Sequence, residues 1–207
     1  GAVGTGNFWN GFAPAPDAIA SIALPGGNDS TRVPVRTRTF TGASDLNGDG
    51  IADLLIGAPT FVHSNFVGAH SNAGTLFAFS GAQLRAGGTI SHSNALWSVS
   101  AGHSNAQFGF SVAAGDINRD GISDIVVGAP FHSNAVSAGW PLGRVFVYFG
   151  SPTIHSNTQP NQTVIPPLLD IISDHWFGYS VSMAGDVNGD GYTDVLIGAP
   201  RYTRTLP

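Results

Sequence analysis

The apolar residues of this chain come in short runs that stop at glycine and proline. Leu54-Leu55-Ile56, Ile125-Val126-Val127 and Val195-Leu196-Ile197 each lead directly into Gly-Ala-Pro. Brief aliphatic, β-branched runs closed by a turn signal predict short buried strands, here over 54–57, 125–127 and 195–197. Alternating patterns predict more strands over 32–40, 74–79 and 144–149. In the first of these Val33, Val35 and Thr37 share one face, while Arg32, Arg36 and Arg38 take the other. Further strands are expected at 18–24, 95–100, 108–113, 163–170 and 177–183.

Before each Gly-Ala-Pro run stands a polar nonapeptide. Asp45 to Asp53 reads DLNGDGIAD, Asp116 to Asp124 reads DINRDGISD, and Asp186 to Asp194 reads DVNGDGYTD. The first aspartates are 71 and 70 residues apart, which marks a tandem repeat. The chemistry of the nonapeptide is that of calcium. Side-chain oxygens at positions one, three and five converge when the backbone coils around a hard cation. Glycine at six permits the sharp turn, the carbonyl at seven faces inward, and a later carboxylate closes the cage. The expected ligands are Asp45, Asn47, Asp49, the Ile51 carbonyl and Asp53 in the first loop. In the second they are Asp116, Asn118, Asp120, the Ile122 carbonyl and Asp124. In the third they are Asp186, Asn188, Asp190, the Tyr192 carbonyl and Asp194. The spacing is that of an EF-hand loop, except that Asp at nine closes it and a strand, not a helix, follows.

Composition agrees with a turn-rich β protein. The 207 residues include 28 Gly and 13 Pro but no Lys, Glu or Cys, so the commonest helix-forming surface residues are missing. Nine of the 13 Asp lie in the nonapeptides, and three bound Ca²⁺ ions would turn the formal charge of −5 into +1. The acidity therefore points to metal. Eight scattered Arg form no basic patch, which argues against nucleic acid. No apolar run approaches the roughly 18 residues of a membrane span. The chain starts at Gly1 with neither Met nor a leader and is expected to be a mature or excised product.

Phe108-Gly109-Phe110-Ser111-Val112 and Phe177-Gly178-Tyr179-Ser180-Val181 precede the second and third loops, each of which ends in Gly-Ala-Pro. This pattern resembles the FG-GAP repeat of the β-propellers found in integrin α chains and in bacterial surface proteins. The resemblance covers roughly 37–200. It implies one four-stranded blade per repeat, with a calcium loop joining the first two strands, and it assigns the fifteen residues above as ligands of three Ca²⁺ ions. The first repeat departs from it, with Arg36-Thr37-Arg38-Thr39-Phe40 in place of Phe-Gly. The expected architecture is all-β: N-terminal strands over 1–36, blades over 37–107 and 108–176, and a partial blade over 177–207. Propellers close with about 4–8 blades, so three leave open edges. Either the chain belongs to a longer array, or N-terminal strands such as 6–11 and 18–24 fill the last blade. Filling between copies, which makes a fibre, is the favoured version.

His-Ser-Asn occurs six times, at 63–65, 70–72, 92–94, 103–105, 132–134 and 155–157. Clustered histidines can ligate Zn²⁺ or Cu²⁺, while polar loop filler is the plainer reading. Asn28-Asp29-Ser30 and Asn161-Gln162-Thr163 are glycosylation sequons. Trp9, Trp97 and Trp140 read as core or rim aromatics, and Asp170, Asp174 and His175 as blade surroundings rather than an acid/base cluster. No nucleophile elbow, paired Glu, catalytic Cys or phosphate-cradling loop is present, so the chain reads as non-enzymatic. The sequence thus predicts a calcium-stabilised, extracellular or cell-surface structural or adhesive module that self-associates. The alternative is a propeller that recognises a protein or glycan through its loop face.

Overall fold

The computed structural model describes residues 20–23, 39–61, 72–133, 141–156, 158–166 and 174–203. The segments 6–11 and 32–38, Trp9, Trp140, Asp170, the sequon at Asn28 and the His-Ser-Asn copy at 63–65 lie outside them. Among the described residues the chain is β, apart from a five-residue helix and two single 3-10 turns. Strand β1 (Ala20–Ala23) is followed by β2 (Thr39–Ser44), β3 (Asp53–Ala58) and β4 (Thr75–Phe79). Next come helix α1 (Gly81–Arg85), β5 (Gly88–Ser91), β6 (Trp97–Val99), β7 (Ser111–Gly115) and β8 (Asp124–Ala129). The order ends with β9 (Arg144–Tyr148), β10 (Gln162–Val164), β11 (Ser180–Gly185) and β12 (Asp194–Gly198).

Two antiparallel four-stranded sheets follow chain order, β2-β3-β4-β6 and β7-β8-β9-β10, and β11-β12 starts a third in the same way. These are the blades of a propeller, and among the described residues they do not close into a ring. Strand β1 pairs parallel with β5, from Ala20 opposite Gly88 to Ala23 opposite Ser91. That places it beside the first repeat and not on β12.

The apolar runs are continuous because both faces of each inner strand are covered. Along β8, Ile125 and Val127 face the first blade, with Leu55, Leu76, Trp97 and Val99, while Val126 faces the third. Strand β9 alternates likewise: Phe146 and Tyr148 join the first interface, Val145 and Val147 the second. Trp97 is 3% exposed and meets the Tyr148 ring edge-on at 5.1 Å, the core role expected of it.

The Phe-Gly and Gly-Ala-Pro motifs are the seam between blades. Within the second blade, the N–H groups of Gly109 and Phe110 both donate to the Gly128 carbonyl, each at 3.2 Å. Between blades, a Cβ on Gly57 would collide with the Gly109 carbonyl oxygen, and one on Gly128 with that of Gly178. Backbone lies directly on backbone there, which only glycine permits.

Several expected boundaries shift: β2 runs on to Ser44 and not 40, and β6 is confined to Trp97–Val99. Strand β7 begins at Ser111, not 108, because Phe108–Phe110 form the turn closed by the Phe110 N–H on the Gln107 carbonyl. Strand β11 likewise begins at Ser180, after Tyr179 donates to the Trp176 carbonyl. Strand β10 ends at Val164, short of Pro166, whose missing N–H cannot continue a ladder. The segment 81–91, which the pattern leaves as loop, forms α1 and β5.

Candidate metal centre

The three nonapeptides fold alike, around the carboxylate at position one. Asp45 Oδ1 accepts from the N–H groups of Gly48 (2.7 Å) and Asp49 (3.1 Å), and Oδ2 from Gly50 (2.8 Å). Asn47 Oδ1 accepts from Asp49 N–H, and Asp49 Oδ1 from Ile51 N–H. Asp116, Asn118 and Asp120 repeat these bonds in the second loop. Asp186, Asn188 and Asp190 repeat them in the third. The glycine at position six has φ of +77° to +87° in all three loops, which an L side chain would strain. The Asx-type bonds coil each loop around the carboxylate at position one.

The carboxylate at nine is the first residue of the following strand. Asp53 is 2% exposed and Asp124 fully buried. Asp53 Oδ2 accepts from Leu46 N–H at 3.0 Å and Oδ1 from Gly81 N–H at 2.9 Å. Asp124 is held identically by Ile117 (2.9 Å) and Gly150 (2.9 Å). Asp194 takes the Val187 N–H at 2.8 Å. Burial raises the Asp53 and Asp124 carboxyls above the usual carboxylate range, against the pull of these N–H groups. Neighbouring acids, Asp49 and Asp45 beside Asp53 and Asp120 beside Asp124, push the same way.

Gly81 and Gly150 are site residues that the motif does not reveal. Each follows the third strand of its blade, and a Cβ on either would collide with the carbonyl oxygen of position eight, Ala52 or Ser123. Their common signal is a glycine closing the apolar run in both Phe79-Ser80-Gly81 and Phe149-Gly150.

Among the described residues, no group of three or more acidic or imidazole side chains is assembled around a common point to hold a metal. The donor chemistry nonetheless fits a hard cation. Every side-chain donor is an oxygen, the chain is coiled by glycine, and a carboxylate oxygen that accepts one N–H keeps a lone pair for a ligand bond. Asp45, Asn47 and Asp49 would hold such an ion from one side, and Asp53 from the strand. Asp116–Asp124 and Asp186–Asp194 correspond. The ion would supply the positive charge that each acidic cluster lacks.

Successive loops touch. Ser123 N–H donates to the Asp45 carbonyl at 2.8 Å, and the Arg119 guanidinium lies 5.1 Å from the Tyr192 ring centre. Elsewhere, Asp174 pairs with Arg201 at 3.1 Å, and His175 is fully buried against Tyr202. Asn161 is exposed, its Oδ1 accepting from Phe149 N–H at 2.7 Å. The copy at 92–94 forms a capped 3-10 turn.

Repeated blades with Phe-Gly and Gly-Ala-Pro at their seams, and an acidic coil between the first two strands, define a propeller-repeat protein. The sequence model of the FG-GAP repeat matches residues 38–77, 108–148 and 177–205, more than half of the chain, and the chain belongs to that family. It is 36% identical to integrin alpha-7 of Rattus norvegicus over 164 residues, 79% of this chain and 12% of the relative. It is 34% identical to integrin alpha-3 of Cricetulus griseus over 196 residues, 88% of this chain and 16% of the relative. Integrin alpha-PS5 of Drosophila melanogaster is 33% identical over 162 residues, 76% of this chain. The chain thus spans about an eighth to a sixth of the length of these curated relatives.

Proposed function

We propose that this chain is a calcium-stabilised, non-catalytic adhesion or ligand-binding module that works outside the cell. Blades over 37–107 and 108–176 and a partial blade over 177–207 each carry one Ca²⁺, and the N-terminal strands over 1–36 complete a blade of this chain or of a neighbouring copy. The ligands are Asp45, Asn47, Asp49, the Ile51 carbonyl and Asp53, with their counterparts in the other two loops. The observation that carries this reading is the same hydrogen-bonded coil, built three times around an aspartate at position one. A location in millimolar calcium suits loops of this exposure, since even weak sites fill there. Calorimetric titration with CaCl₂ tests it. Three ions should bind per chain, and Asp45→Ala, Asp116→Ala and Asp186→Ala should each remove one. Heat indistinguishable from dilution, or a stoichiometry that these substitutions leave alone, would rule the reading out.

Two observations support finer roles. At the end of the blades opposite the acidic loops, Trp176 stacks on Tyr179 at 5.7 Å, and Phe110 and Phe131 adjoin them. Such a half-exposed aromatic surface suits recognition of a protein or glycan. Self-association into a fibre is supported by β12, which pairs only with β11 among the described residues and exposes Leu196 at 67%. Strand β1 would have to leave β5 to complete that edge in a neighbouring copy. Light scattering in calcium distinguishes them: particles growing with concentration support the fibre, and a concentration-independent monomer refutes it.

A further inference from the structure

The six His-Ser-Asn tripeptides are irregular in sequence, yet part of the set meets in space. Asn72 and Asn105 are bonded through their side-chain amides at 3.2 Å, and the His103 and His132 rings lie 4.2 Å apart. The two histidines line one side of a cleft of about 530 Å³ at the junction of the first two blades. Arg144, Phe146, Thr158 and Thr163 are among the residues that line the rest, and among the described residues none of its lining side chains is acidic.

The second repeat differs here from the first at two corresponding positions. The third residue after the alanine of Gly-Ala-Pro is Phe61 in the first blade and Tyr202 in the third, each donating its N–H back to that alanine. In the second blade the same turn carries His132. The residue that opens the third strand is Thr75 in the first blade and Arg144 in the second. Both changes bring hydrogen-bonding nitrogen into the same space.

Neither group has a carboxylate partner among the described residues. His132 is 2% exposed, and its Nε2 has no hydrogen-bond partner among the described residues. Arg144 is half-buried, and the ion pair found among the described residues is Arg201 with Asp174, not Arg144. A buried unpaired nitrogen and a partly desolvated guanidinium are each costly, which points to a missing partner. Burial, then Arg144 and His103, disfavour positive charge on His132, and the fixed Arg144 charge suits an anion in this cleft.

We propose that the cleft binds a carboxylate-bearing ligand of about monosaccharide size, with Arg144 as the fork for the carboxylate and His132 beside it. Guanidinium pairs with carboxylate through two parallel hydrogen bonds. The exposed Thr158 and Thr163 hydroxyls suit ligand hydroxyl groups. The volume lies within the range of small-ligand pockets. The cleft shares no residue with the acidic loops, so its test and that of calcium binding stand apart.

Titration of isotope-labelled, calcium-loaded protein with sodium glucuronate, followed by NMR, tests the site. Saturable shifts of the His132 ring and Arg144 side-chain signals are expected, with glucose binding about tenfold or more weakly. Arg144→Gln should weaken glucuronate by about tenfold or more, and His132→Phe should weaken it while keeping a packed ring. No saturation by glucuronate, or glucose binding equally well, overturns the proposal. Inorganic phosphate binding more tightly than glucuronate overturns the carboxylate assignment, and unchanged affinity in folded Arg144→Gln overturns the role of the fork.

Discussion

Replacing Gly128 by Ala places one methyl group in the seam between the second and third blades. The new Cβ collides with the Gly178 carbonyl oxygen and Ser111 Oγ, and the Gly178 carbonyl carbon lies 3.0 Å away. The φ of Gly128 is ordinary, so the cost comes from contact and not from backbone strain. Relief requires the blades to part, which also breaks the Ser111 hydroxyl bond to the Gly178 carbonyl at 2.8 Å. Overpacking costs about 1–3 kcal/mol and the lost hydrogen bond about 1, for roughly 2–4 kcal/mol in all. Urea unfolding in saturating calcium reads this directly, and Tm should fall by about 4–16 °C for a chain of this size. Gly185→Ala is the control. It meets nothing within 4 Å but has φ +73°, so it should cost only the left-handed penalty of about 1–2 kcal/mol. A Gly128→Ala protein within about 0.5 kcal/mol of wild type would mean that the blades do not meet backbone to backbone.

Ile125→Ala opens a fully buried site at the first blade interface and should cost about 2–5 kcal/mol, read from the denaturant midpoint. Asp124→Asn should weaken calcium binding at the second loop alone. In chelator it should cost about 1–3 kcal/mol, because the carboxylate accepts the N–H groups of Ile117 and Gly150 and the Asn –NH2 would leave one of them unpaired. His132 makes stability pH-dependent: burial, Arg144 and His103 push its pKa from 6.5 down to about 3, so the unfolded chain binds the proton first. Its contribution is fully present above about pH 6.5 and lost as pH falls toward 3, and His132→Phe should flatten that part of the stability profile measured in chelator.

The acidic loops and inner strands were readable because their signals are local and repeated. Oxygen donors at alternate positions, a glycine at six and an apolar run ending in Gly-Ala-Pro fix both coil and strand. What stayed hidden depends on distant partners. Nothing in Gly81 or Gly150 announces that its N–H closes on a carboxylate of the preceding loop. The parallel pairing of Ala20–Ala23 with Gly88–Ser91 has no sequence signature. The His-Ser-Asn tripeptides gained meaning only when the fold brought His103 to His132 and Asn72 to Asn105. The late start of β7 and β11 follows from turns at the Phe-Gly motif, which the alternating pattern reads as extended chain.

The central claim is that three cations and three blades fold together, and the thermal midpoint as a function of free calcium tests it most directly. Each site filled to a hundred times its Kd adds about 2.7 kcal/mol, so the midpoint should climb steeply and continuously from chelator to millimolar calcium. Asp45→Ala, Asp116→Ala and Asp186→Ala should each make that climb shallower. A midpoint that stays the same from chelator to millimolar calcium would contradict the account.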